Sequence, residues 1–186
     1  MSSRCTQTST CLKRSCSTPS RSVILGIDPG TTGMGYALLV ASPERAAILE
    51  CGVVDVRASG STAERLLAIA EALDSMIRRY HPFALAVERL YFNKNAKTAM
   101  AVSEARGVAL LCAARARLEI AEYTPQQVKS SVTGSGRGDK KAVQRMLPNL
   151  VALDAPITQD NVADAVAIAL THAQRARFAD AVGTAT

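Results

Sequence analysis

Aromatic residues make up only 4% of the 186-residue chain, and tryptophan is absent. The core must therefore be built from Ala, Leu, Val and Ile. There are two histidines and no Cys-x-x-Cys pair among Cys5, Cys11, Cys16, Cys51 and Cys112. Zinc-type ligand spacing is thereby excluded. An odd cysteine count without a framework reads as reduced thiols, and so as a cytoplasmic protein. No apolar run approaches the roughly 20 residues a membrane-spanning helix needs. Residues 1–22 also lack the apolar stretch of a secretion signal. A membrane partner, a collagen and a coiled coil are all excluded.

Acidic residues are missing from positions 1–22, which carry Arg4, Lys13, Arg14 and Arg21. Four units of the net +6 charge lie there, so the remainder is only mildly basic. A nucleic-acid partner would have to be held by a local patch. With 48% hydrophobic and 20% charged residues, the rest of the chain can bury a core of its own. The expected layout is a disordered basic arm at 1–22, one α/β domain at 23–180 and a tail at 181–186.

The run Val23-Ile24-Leu25-Gly26-Ile27 reads as a strand buried on both faces, stopped by Asp28-Pro29-Gly30. Gly35 to Val40 and Ala46 to Val56 read as two further strands in a meander. Ser61 and Glu64 have capping-box spacing, and an amphipathic helix follows as far as Pro82. Phe83 to Val87 reads as a central strand that ends in the charge of Glu88. Asn95 to Arg115 is expected to be helical, with small residues at Ala99, Ser103, Gly107 and Ala114 that would let a second helix approach. Leu118 to Tyr123 is the fifth strand. Thr124-Pro125-x-Gln127 opens a helix with proline at its first position. A glycine-rich loop at 134–138, a short helix at 139–147 and a last helix at 161–178 complete the chain. The order implies one mixed five-stranded sheet with helices on both faces.

Three acids stand where acids are costly. Asp28 and Glu88 close apolar strands, and Asp164 interrupts the apolar run Val162 to Leu170. Ligands of α/β sheets gather at the carboxyl ends of strands. Three carboxylates converging there would suit a hard cation such as Mg²⁺, and two such ions suit phosphodiester cleavage. Each acid also has an ordinary reading. Asp28-Pro29-Gly30 is turn chemistry, Glu88 could pair with Arg89 or Arg106, and Asp164 could cap a helix or face water.

Four stretches, in order, resemble the RuvC family of Holliday-junction resolvases. They are Val23 to Gly30 with Gly35-Tyr36, then Ala86-Val87-Glu88-Arg89-Leu90-Tyr91-Phe92-x-Lys94-Asn95. Next come Tyr123-x-Pro125-x-Gln127-Val128-Lys129 and Ala163-Asp164-Ala165-x-Ala167-Ile168-Ala169-x-Thr171-His172. The resemblance implies a ribonuclease H-like fold and a homodimer. It further implies Mg²⁺- or Mn²⁺-dependent nicking of four-way junction DNA, with two ions per site, in recombination and repair. It makes RuvA–RuvB, the branch-migration complex, the expected partner. By resemblance, Asp28, Glu88 and Asp164 are metal-binding acids. The fourth catalytic position, acidic or His in the family, is Asn161 here. Asn offers only a neutral oxygen and cannot take a proton as a base. Three readings stand: three acids suffice, Asp160 substitutes, or the change weakens cutting and leaves a protein that chiefly binds junctions. Another ribonuclease H-like nuclease is the remaining reading.

Tyr91 and Phe92 follow Glu88 directly, and Tyr91 falls on the family's base-stacking position. Lys94 continues that polar loop. Lys129 and Lys140 match family lysines near the cleaved phosphate. Arg137 and Lys141 complete a basic set around the glycine-rich loop, suited to backbone-phosphate contact.

Overall fold

The protein is described by a computed structural model covering residues 23–30, 33–42, 45–56, 60–90, 96–136, 138–153 and 155–183. The expected arm at 1–22 and the site candidates Tyr91, Phe92, Lys94 and Arg137 lie outside the described residues.

Strands β1 (Val23–Pro29), β2 (Gly33–Val40) and β3 (Ala46–Asp55) form the antiparallel meander. Helix α1 (Thr62–Tyr80) leads to β4 (Ala84–Glu88), which lies parallel to β1. Helix α2 (Ala96–Arg115) leads to β5 (Glu119–Tyr123), parallel to β4. Helices α3 (Pro125–Thr133) and α4 (Lys140–Leu150) precede β6 (Val151–Ala152), and α5 (Asp160–Gly183) closes the domain. The sheet order is β5-β4-β1-β2-β3-β6. The five-stranded expectation is thus one strand short. The extra strand β6 has two residues, paired with Ala46 and Ala47, and two residues leave no periodicity to read. Helix α5 runs to Gly183, beyond the expected end at Phe178 and into the expected tail.

Local chemistry explains the element starts. The Ser61 side chain accepts the Glu64 backbone N–H at 3.2 Å, and the Glu64 carboxylate accepts the Ser61 N–H at 2.8 Å. Thr124 and Gln127 repeat the reciprocal bond at α3, at 3.1 and 2.8 Å. His81 ends α1 in the left-handed region, φ 46°, just before Pro82.

Alternation along the strands sorts side chains onto two faces. Leu25 and Ile27 of β1, Leu38 of β2 and Leu85 and Val87 of β4 pack against α1 and α2. Ile24 of β1, Ala37 and Leu39 of β2 and Ala86 of β4 pack against α3, α4 and α5. Gly26, Asp28, Gly35 and Glu88 share the second face by the same period. A Cβ on Gly26 would stand 2.4 Å from the Ala165 carbonyl oxygen, and one on Gly35 would stand 2.1 Å from that of Asn161. Both glycines therefore let α5 lie on the sheet at backbone contact. The alanines of α5 at 163, 165, 167 and 169 are fully or almost fully buried, which keeps its approach close from the other side.

That contact yields a test. Gly35→Ala must push the first turn of α5 away from β2, at an overpacking cost of about 1–3 kcal/mol. We expect a lower thermal midpoint in calorimetry. Unchanged melting would show that the helix does not need this contact.

Candidate active site

Register brings the strand-end acids together. Ile27 of β1 pairs with Val87 of β4, so Asp28 and Glu88 are the next residues along two adjacent parallel strands. Asp28 also pairs with Gly35 across β2, the residue on which Asn161 of α5 rests. One turn further along α5, Asp164 faces the same strand ends. A cleft of about 260 Å³ opens here, lined by Asp28, Pro29, Glu88, Arg89, Leu90, Val102 and Pro125.

The electrostatics follow from burial and crowding. Burial, then the charges of Asp164 and Glu88, push the Asp28 carboxyl up to about 7, with Lys140 opposing. Burial and Asp164 raise Glu88 as well, against Lys129 and Lys140. Asp164 therefore acts on both strand-end acids, with Lys140 opposing it at both and Lys129 at Glu88. Lys140 Nζ stands 2.8 Å from Asp164 Oδ2 and 3.3 Å from Asp160 Oδ2. Partial burial works against its charge, but Asp164 and then Asp160 hold the ammonium above its ordinary value. Among the described residues no three His, Cys, Asp or Glu side chains are already drawn onto one point as a metal cluster. The donor set nonetheless suits a hard divalent cation: oxygen only, anionic and partly desolvated. A cation would also remove the repulsion that now raises Asp28 and Glu88.

The ordinary partners considered for Glu88 are engaged elsewhere. Arg106 lies 2.7 Å from Glu122 and Arg89 lies 3.8 Å from it. Asn161 is half-buried, and its Oδ1 accepts the Val162 backbone N–H at 3.1 Å. Asp160 is the first residue of α5, and its carboxylate turns to α4, where Gln144 Nε2 donates to Oδ1 at 2.7 Å. It does not join Asp28 and Glu88 as a fourth acid. Lys141 is exposed on α4. Tyr123 and His172, both in the quoted stretches, bond each other in the core at 2.8 Å. Sequence reasoning missed the Gln144–Asp160 link and the packing role of Gly26 and Gly35. The glycines carried a usable signal, since Gly26 stands two residues before Asp28 and so shares its face.

The raised Asp28 carboxyl gives a pH dependence with a definite sign. In the metal-free protein, the folded state keeps a proton that the unfolded chain releases between about pH 4 and pH 7. Stability therefore falls as pH rises through that window, and the penalty is complete above it. Asp28→Asn removes the ionisable group. We expect it to raise the melting temperature at pH 8 in chelator by at least about 3 °C, with the difference vanishing near pH 4. A variant no more stable than its parent at pH 8 would show that the site stores no such repulsion.

Comparison with known proteins places this geometry. Residues 24–172 match the family model "Crossover junction endodeoxyribonuclease RuvC". A RuvC of Alkaliphilus oremlandii is 44% identical over 158 residues, covering 85% of this chain and 96% of that protein. One of Heliobacterium modesticaldum is 48% identical over 148 residues, covering 80% and 91%. The solved structure of Thermus thermophilus RuvC in complex with Holliday junction substrate superposes with a TM-score of 0.79 at 33% identity, covering 86% of this chain and 97% of that one. The yeast mitochondrial Holliday junction resolvase shares the fold alone, with a TM-score of 0.62 at 13% identity. The fold is ribonuclease H-like, and the chain belongs to the RuvC family, the metal-dependent crossover junction endodeoxyribonucleases.

Proposed function

We propose that this chain resolves four-way DNA junctions, with Asp28, Glu88 and Asp164 holding Mg²⁺ or Mn²⁺, two ions per site. The observation that carries this reading is the meeting of three costly carboxylates from β1, β4 and α5 beside two lysines. When bound, the cations activate water and stabilise the leaving oxygen of the cleaved phosphodiester. The residues of the chain do the rest. Asp28 and Glu88 are oriented by a rigid parallel strand pair. Asp164 is oriented by the glycine-cushioned start of α5. Lys129 and Lys140 offer positive charge beside the acids, where a DNA phosphate would otherwise be repelled. By the family resemblance, Lys141, Arg137 and Lys94 are further DNA contacts, and Tyr91 and Phe92 are the aromatics that would stack on an unpaired base.

A homodimer places two such sites against the two strands of a pseudo-two-fold junction. Its support is the outer face of α2. Met100 is 65% and Leu111 59% exposed, and a Cβ on Gly107 would meet nothing within 4 Å. These three positions repeat at helical spacing, so they form one apolar stripe open to a second copy. No helix among the described residues is long and apolar enough to cross a membrane. A cytoplasmic setting and the RuvA–RuvB branch-migration complex as partner complete the proposal. Leu111→Glu should convert the dimer to a monomer in sedimentation without lowering the thermal midpoint. A parent chain that sediments as a monomer at micromolar concentration would remove the dimer from this reading.

The deciding experiment is cleavage of a synthetic four-way junction in Mg²⁺ and in Mn²⁺. We expect paired nicks in opposed strands, and a loss of at least about 10³-fold in Asp28→Asn, comparable to losing a main charge-stabilising group. Junction binding with no cutting by the parent in either ion would overturn the nuclease reading. Asn161 favours slow cutting within it, because its oxygen is neutral and already bonded to Val162. Asn161→Asp should therefore raise the rate and lower the metal concentration required. Equal rates at low metal would show that a fourth acid is dispensable.

A further inference from the structure

Lys140 is the first residue of α4, whose N-cap Asp139 accepts the Ala142 backbone N–H at 2.7 Å. A cation there opposes the positive end of the helix dipole, so its charge must be compensated from outside the helix. The compensation comes from α5. Asp160 and Asp164 are i and i+4, on one face, and Lys140 Nζ lies against both. Asp160 is in turn gripped from α4 by two residues four apart, Lys140 on Oδ2 and Gln144 on Oδ1. The four side chains form a chain between the two helices, running Asp164–Lys140–Asp160–Gln144. Of its two acids, only Asp164 acts on Asp28 and Glu88.

A lysine on Asp164 Oδ2 and a divalent cation on the same carboxylate compete. Released from Asp164 alone, the long lysine side chain would regain its rotamer freedom and leave the cleft. A second carboxylate, fixed by Gln144, gives the ammonium somewhere to stay. We propose that Asp160 is a positioning residue for Lys140: it keeps the ammonium at the rim of the acidic cleft when a cation takes Asp164, and so eases metal entry and leaves the lysine beside the DNA phosphate. This rests on the reading of Asp164 as a metal ligand. It assigns Asp160 a role different from a fourth ligand, since its carboxylate faces α4 and not Asp28.

The test is a double-mutant cycle read as Mn²⁺ binding without DNA, by calorimetry at moderate salt so that distant charge effects are screened. The chains are the parent, Asp160→Asn, Lys140→Gln and the double variant, with Asp160→Glu as the conservative change. Asp160 and Lys140 are exposed enough that folding is preserved, which circular dichroism checks. Asp160→Asn should weaken Mn²⁺ binding about two- to fivefold, the range open to an exposed ion pair. In the Lys140→Gln background the same change should cost less than about 1.5-fold. Asp160→Glu should restore both Mn²⁺ affinity and the junction cleavage rate at saturating Mn²⁺. Equal losses with and without Lys140, or no loss in either, overturn the positioning role while leaving the metal site intact. A parent chain that binds no Mn²⁺ overturns both readings together.

Discussion

The backbone contact between α5 and the sheet is the constraint from which the site follows. Helices normally stand about 10 Å from a sheet because side chains fill the gap. Here Gly26 and Gly35 remove two of those side chains, and the alanines of α5 supply the other half of the narrow gap. The reward is positional. An acid on a helix and acids at strand ends can meet only if the helix axis comes close to the strand ends themselves. The scarcity of aromatic residues is consistent with this, because a core of Phe and Trp would hold the layers apart.

Placing three carboxylates this way works against folding. Burial and mutual repulsion raise Asp28 and Glu88, so the metal-free protein carries a strained site that its hydrophobic faces must offset. The molecule distributes the load unevenly. Glu88 and Asp28 sit at the end of the β1–β4 parallel pair, flanked by buried Leu25, Ile27, Leu85 and Val87. Asp164 has a lysine within hydrogen-bond distance. Strain held on stiff elements is what a preorganised site requires, since a loop would relax and separate the acids.

Much of this was legible in the sequence, for identifiable reasons. Apolar runs that end abruptly in a charge marked Asp28 and Glu88, because burial makes such endings costly. The capping-box spacing at Ser61–Glu64 and the proline after Thr124 marked two helix starts, because both signals lie within one turn. What escaped depends on distances along the chain that local patterns do not span. The choice of Glu122 as the partner of Arg106 depends on β5 lying beside β4 and under α2. The linked side chains of Lys140, Gln144, Asp160 and Asp164 depend on the packing of α4 against the start of α5, which no periodicity encodes. Strand β6 was invisible because two residues form it.

The charge arrangement also explains why a domain that is only mildly basic can work on a polyanion. Asp28 and Glu88 line a cleft, and their carboxylates would repel the phosphate the domain must approach. Lysines stand close by rather than far away, with Lys129 acting on Glu88 and Lys140 on Asp28, Glu88 and Asp164. If two divalent cations load the proposed site, they would bring +4 against three carboxylates and reverse the sign of the cleft. Attraction of the scissile phosphate would then be tied to metal loading. The same reasoning bears on Asn161. A fourth carboxylate would bring the loaded site to neutrality and leave phosphate attraction to the lysines alone. On the proposed two-ion reading, the amide would sacrifice metal affinity but keep a positive cleft once the ions are in place. In such a site the neutral residue shifts the balance from holding metal toward holding DNA.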